Sequence, residues 1–190
     1  MIQTLANRAA QFVVNNDDTA DFEVLAYGFG LIVSGIVTYT AVLVSALLFG
    51  VIVEMLIAIA AYIIMRLTIG GVHANSRIVC FITYSSTLYL SIYLSFVLTF
   101  SDAVMAVLYL MNVALLILYA PSDTADQPIV KRRFERKILG IVFMTLLFSL
   151  SMFLDHRTVE TNILLLVSTF TCVLLHPLIY RMFGCKKSIY

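Results

Sequence analysis

Apolar residues fill most positions between 24 and 180, and short polar clusters divide them into runs. The first run, 24–65, is about twice the ~20 residues that a helix needs to cross a bilayer. It therefore predicts two helices, about 24–45 and 47–65, with a tight turn near 45–50. A third helix is predicted over 76–100, with Asp102 marking its outer turn. The fourth covers 103–119 and stops before Pro121, which cannot continue a helix. The fifth and sixth are predicted over 138–154 and 161–180. Ahead of them, Ile2, Leu5, Ala9, Phe12 and Val13 recur at helical spacing, with Gln3, Asn7, Arg8 and Gln11 between. That pattern predicts an amphipathic helix within 1–20, on the membrane surface or against the bundle. The expected fold class is an all-α integral membrane protein: six transmembrane helices plus an N-terminal amphipathic helix. Residues 1–190 are read as one membrane-embedded domain with a tail at 181–190.

Composition sharpens the class. Hydrophobic residues make up 62% of the 190 and charged ones 12%, with a mean hydropathy of +1.01, far from a soluble domain. A net charge of +1 speaks against a nucleic-acid partner. Three cysteines, an odd number without close pairing, give no disulfide framework. The first residues do not read as a signal peptide, because a basic stretch leading into an apolar core is missing and Asn15, Asn16, Asp17 and Asp18 interrupt the segment. With six crossings, Arg66 and Arg77, the basic residues 131–137, and the tail with Arg181, Lys186 and Lys187 share one side. The other side holds a bare turn, Asp102 and the loop with Asp155, His156 and Arg157. The positive-inside rule then puts both termini and the 66–80 loop in the cytoplasm.

Within this frame few residues carry chemistry. Gly28, Gly30, Ser34 and Gly35 read as helix-packing positions. Glu54 is the one acid inside the 24–65 run, a functional candidate because a carboxylate in lipid is expensive, although a structural role is the more ordinary reading. Cys80, Tyr84, Thr87, Ser91 and Ser95 fall on one face of the third helix, where hydroxyls are expected to bond to neighbouring helices. Cys172 and His176 would share a helix face, but no further ligands lie near, so no metal and no cofactor are expected.

The richest stretch is 66–80, where Arg66, Gly70, Gly71, His73, Asn75, Arg77 and Cys80 meet. A thiol and an imidazole are the minimum parts for nucleophilic acyl transfer, since the imidazole takes the proton and leaves a thiolate. Seven residues along a straight helix would hold them about 10.5 Å apart. Gly70 and Gly71 offer a backbone break that folds the histidine back. Asn75 or Ser76 can then cap a new helix, with Cys80 near its first turn, where the helix dipole favours a thiolate. The plain alternative is a short loop with a solvated histidine and a buried cysteine.

The order Arg66, Gly70, Gly71, His73, Ala74, Cys80 resembles the signature of the accessory gene regulator protein B family (AgrB). A second stretch, Tyr119, Ala120, Pro121, Ser122 and on to Pro128, resembles that family's second motif, with Gln127 where a lysine is usual. The resemblance covers essentially the whole chain. It implies a cysteine endopeptidase of the bacterial cell membrane that processes a quorum-sensing propeptide into a cyclic thiolactone or lactone. Cys80 would be nucleophile and His73 general base, with Arg66 and Gly71 also needed for activity. Gly70, Asn75 and Glu54 are supporting candidates, and Lys131, Arg132 and Arg133 would meet the acidic tail of the propeptide. The resemblance further implies a homodimer in the bilayer. The rival reading is a small transporter or peptide exporter, against which stands the lack of an internal repeat or paired broken helices.

Overall fold

The computed structural model describes residues 2–16, 20–72, 76–122, 132–153 and 158–185. Among these the chain is an all-α membrane protein: five helices are long and apolar enough to cross a bilayer, and no strand forms beyond one isolated bridge. The backbone clusters into two units, residues 1–50 and 51–190.

In the first unit, α1 (Ile2–Val14) packs on α2 (Phe22–Leu48). Asp21 starts α2 by accepting hydrogen bonds from the N–H groups of Glu23 (2.8 Å) and Val24 (3.4 Å). The buried face of α1 is its alanine face, Ala6 and Ala10, not the large apolar side chains. Leu5 and Phe12 stay exposed, which suits contact with lipid. Gly30 is buried in this unit, whereas a side chain at Gly28 or Gly35 would meet open space. Of the glycines expected to pack, Gly30 alone does so here.

The second unit is a helix bundle: α3 (Ile52–Ile69), α4 (Arg77–Val97), α5 (Asp102–Tyr119), α6 (Arg133–Phe153), α7 (Val159–Val173) and the short α8 (Pro177–Met182). At its centre is α7, which touches α3, α4, α5 and α6 and buries ten of its fifteen residues. Fifteen residues span only about 22 Å, short of the ~30 Å hydrocarbon core. The helix expected over 161–180 thus ends early, because Pro177 lacks an N–H and cannot sit in a helix interior. Instead Pro177 opens α8 at its N-terminus, where that N–H is not needed. The start of α6 also moves, from 138 to Arg133, so that Arg133, Arg136 and Lys137 belong to the helix, since arginine and lysine are good helix formers.

Polar groups inside the bundle are bonded economically. Thr87, Ser91 and Ser95 donate to the carbonyls of Thr83, Thr87 and Ile92 in their own helix, not to neighbouring helices as the pattern suggested. Bonds between elements include Asn112 Nδ2 donating to Thr169 Oγ1 (2.9 Å), Asn162 Nδ2 donating to the Leu98 carbonyl at the end of α4 (3.1 Å), and the Tyr109 and Thr145 hydroxyls 3.0 Å apart. At the other end of the bundle, Met65, Ile69, Leu116, Ala120, Met144, Cys172 and Leu175 form an apolar core. That core underlies the Gly70 turn.

Candidate functional site: the glycine turn and the Cys80 cleft

Helix α3 ends where glycine permits it. Gly70 (φ +74°) and Gly71 (φ +136°) both adopt backbone angles that side chains disfavour. The turn is fastened to the chain that follows α5. Gly71 N–H donates to the Ser122 carbonyl (2.6 Å), and Ser122 N–H donates to the Ile69 carbonyl (3.0 Å). The two stretches that carried the family resemblance are therefore stitched to each other by main-chain bonds.

Arg66, in the last turn of α3, braces this turn from within. Its Nη1 donates to the Gly70 carbonyl (3.2 Å) and its Nη2 to the Val72 carbonyl (2.8 Å). The guanidinium also lies over the Tyr62 ring, 5.7 Å from its centroid. A Cβ on Gly71 would fall onto Arg66 Nη1. Gly71 is thus required by space as well as by its φ. Gly140 of α6 plays the matching part from outside, since a Cβ there would strike the Ile69 side chain.

Cys80 sits one turn into α4, its N–H bonded to the Ser76 carbonyl (3.0 Å). Ser76 holds the N-cap position, as expected, but its side chain makes no capping bond. The half-buried Cys80 opens onto a cleft with Tyr62, Arg66, Val72, Thr83, Tyr84, Leu174 and Phe183. Tyr62 and Tyr84 meet edge-on, 5.0 Å between centroids. Cleft and turn thereby share Arg66 and Val72. His73 and Asn75 lie outside the described residues; Val72, which precedes His73 in the sequence, is at the cleft.

This geometry can be set beside known proteins. The sequence model of one family, Accessory gene regulator B, matches residues 6–178. The chain belongs to the accessory gene regulator B family. It is 31% identical over 170 residues to a putative AgrB-like protein of Halalkalibacterium halodurans, covering 87% of this chain and 84% of the relative. A putative AgrB-like protein of Clostridium acetobutylicum is 30% identical over 144 residues, 75% and 68% of the two chains. An accessory gene regulator protein B of Staphylococcus haemolyticus is 26% identical over 159 residues, 79% and 83%. No solved structure matches. Membership links the chain to accessory gene regulator quorum-sensing processing.

Other AgrB candidate residues fall elsewhere. Glu54 lies in the first turn of α3, twelve residues and about 18 Å along the axis from Arg66. It joins the opposite end of the bundle, where a carboxylate near a helix N-terminus is favoured by the helix dipole, and not the Cys80 cleft. Lys131 and Gln127 are outside the described residues. Arg132 is exposed and pairs with Glu135 (3.7 Å). Arg133 donates to the Pro121 carbonyl (3.2 Å) and Lys137 to the Ile117 carbonyl (2.7 Å). Two of the basic side chains therefore tie the start of α6 to the end of α5 and to Pro121. His176 does not share a helix with Cys172, because α7 ends between them. Its Nδ1 accepts from Leu178 N–H (3.3 Å) and its ring meets Tyr119 edge-on at 5.1 Å. Among the described residues no group of three or more metal-binding side chains comes together.

Sequence reasoning missed Leu174, Phe183 and Gly140, and it placed Ser122 in the second motif without a partner. Each acts through a partner far away in the chain, and none carries a local spacing signal.

Proposed function

We propose that this AgrB-family protein is a membrane cysteine endopeptidase that cuts a quorum-sensing propeptide through an acyl-thioester on Cys80. The observation that carries the reading is the cleft in which Cys80, Arg66 and Val72 meet at the braced glycine turn, with His73 the next residue in the chain. A half-buried thiol beside a helix N-terminus has the surroundings of a reactive cysteine rather than of a core one.

In the proposed reaction His73 takes the proton of the Cys80 thiol, and the thiolate attacks the carbonyl carbon of the scissile bond. The tetrahedral oxyanion collapses, the carbon–nitrogen bond breaks, and the His73 imidazolium gives its proton to the departing amine. The N-terminal part of the propeptide stays on Cys80 as a thioester. A thiol or hydroxyl within that peptide then attacks the thioester carbonyl, its proton passes to the Cys80 sulfur, and a cyclic product leaves. A cleft with aromatic and aliphatic walls keeps water scarce, which disfavours hydrolysis of the thioester before the ring closes. Arg66 acts here as a positioning residue, since both its bonded donors hold the turn. The basic residues at the same end of the bundle support placing the site and both termini on the cytoplasmic side.

The test is co-expression with a candidate propeptide encoded beside this gene. Cys80→Ala and His73→Ala should each abolish cleavage while the proteins still insert in the membrane. Cleavage that survives either change refutes the assignment of that residue, and survival in both refutes the peptidase reading.

A further inference from the structure

Two tyrosines meet one helical turn below the groups that carry the chemistry. Tyr62 stands four residues before Arg66 on α3, and Tyr84 stands four residues after Cys80 on α4. Since Tyr62 touches Tyr84 while Arg66 and Cys80 share one cleft, the two helices run in opposite directions. The ring contact therefore lies about 5.4 Å deeper in the bundle than the guanidinium and the thiol. Both tyrosines are buried, with 8% and 6% exposure. Their planes cross at 67° with centroids 5.0 Å apart, the edge-on arrangement that aromatic pairs favour. The Tyr62 ring also carries the Arg66 guanidinium at 5.7 Å. The space beside Cys80 admits about one water molecule, so its walls nearly touch and the side chains between them set their separation. Between α3 and α4 those side chains include this pair.

Resting on the peptidase reading above, we propose that Tyr62 and Tyr84 are positioning residues for that reaction: their edge-on contact fixes how far the Cys80 thiol stands from Arg66 and the glycine turn. The nucleophile belongs to α4, whereas the turn and its brace belong to the end of α3. A spacer between the two helices must contact both, lie close to the site and resist compression. The tyrosine pair does all three, because flat, buried rings have few ways to yield. Tyr62 has a second duty, since its ring holds the guanidinium that bonds the Gly70 and Val72 carbonyls. Acyl transfer is sensitive to such spacing, because reacting atoms misplaced by about 1 Å can lose a hundredfold in rate. In this role the rings matter and the hydroxyls do not.

The experiment uses the full chain in membrane vesicles and reads the spacing directly. Val72 lines the cleft with Cys80, so Val72→Cys puts a second thiol across from the first. Dibromobimane bridges two close thiols, each thiolate displacing one bromide to form a thioether. The rate of bridging is located by mass spectrometry and divided by the rate at which monobromobimane labels Cys80 alone. Tyr62→Leu and Tyr84→Leu should each lower this ratio about tenfold, the combined scale of an edge-on pair and a cation over a ring. Tyr62→Phe and Tyr84→Phe should stay within twofold of the parent. The double leucine variant should match Tyr62→Leu, because either change alone removes the one shared contact. With Val72 restored, propeptide cleavage by the leucine variants should lose kcat while KM holds. Should a leucine variant fail to insert, Tyr62→Met and Tyr84→Met, which fill the space without a ring, carry the test. Leucine ratios within twofold of the parent, or phenylalanine variants that fall as far as leucine ones, overturn the positioning role. So does full Cys80-dependent cleavage with both rings replaced. A ring-dependent bridge in a protein whose propeptide cleavage survives Cys80→Ala would instead overturn the peptidase reading and support the spacer.

Discussion

Replacing Gly71 by alanine tests the brace at the centre of the site. Gly71 sits at φ +136°, and a non-glycine residue held in such a region costs about 1–3 kcal/mol. The new methyl also lands on Arg66 Nη1, so the guanidinium must leave its place. Leaving breaks its bonds to the Gly70 and Val72 carbonyls. A hydrogen bond to a charged donor contributes ~1.5–3 kcal/mol, and the partial exposure of Arg66 brings the pair to roughly 3 kcal/mol. The sum, about 4–6 kcal/mol, is below or near typical total stability of 5–15 kcal/mol, so the variant should insert but hold its turn poorly. In an Arg66→Ala background the collision is gone and only the backbone term of about 1–3 kcal/mol remains. The two changes should therefore be non-additive by roughly 3 kcal/mol. Equilibrium unfolding in mixed micelles measures the four stabilities of this cycle, and propeptide cleavage follows function in parallel. Strict additivity, or a Gly71→Ala protein as stable as wild type, would refute the brace.

Two further outcomes follow from neighbouring contacts. Gly140→Ala, far from the chemistry in sequence, should displace Ile69 and slow cleavage at least tenfold, about 1.4 kcal/mol, while Gly140→Ser should be no better; unchanged rates in both would free α6 from any part in the site. Exchanging Lys131 and Arg132 for glutamine should weaken processing of a propeptide with an acidic tail, and adding Arg133→Gln should also lower stability because Arg133 holds the Pro121 carbonyl. Processing unchanged in the double variant would confine those charges to topology.

Most of the architecture is legible in the chain, since lipid demands long apolar helices and polar clusters separate them. The predicted turn near 45–50 appears where α2 ends at Leu48, and the helix before the glycine pair ends at Ile69. The early end of α7 was signalled by Pro177, but the surrounding apolar run, Val173, Leu174, Leu175 and onward, hid it. The burial of Ala6 and Ala10 rather than Leu5 and Phe12 shows the limit of amphipathic reading. Periodicity finds an apolar face, but close packing selects the small residues on it. At the site, the chemistry-bearing types at 66–80 stand out in one line of sequence. What Arg66 does there does not, because its acceptors are carbonyls, which every residue has. Phe183 is equally silent: over a hundred residues separate it from Cys80, and only the fold brings them to one cleft.

The most direct measurement is capture of the covalent intermediate. Enzyme in vesicles, mixed with propeptide whose internal nucleophile is replaced by alanine, cannot close the ring and should accumulate the thioester. Peptide mapping by mass spectrometry should then find the N-terminal part of the propeptide on Cys80, released by hydroxylamine and missing from Cys80→Ala. Acylation of any other residue, or cleavage of that propeptide by the Cys80→Ala protein, would contradict the account.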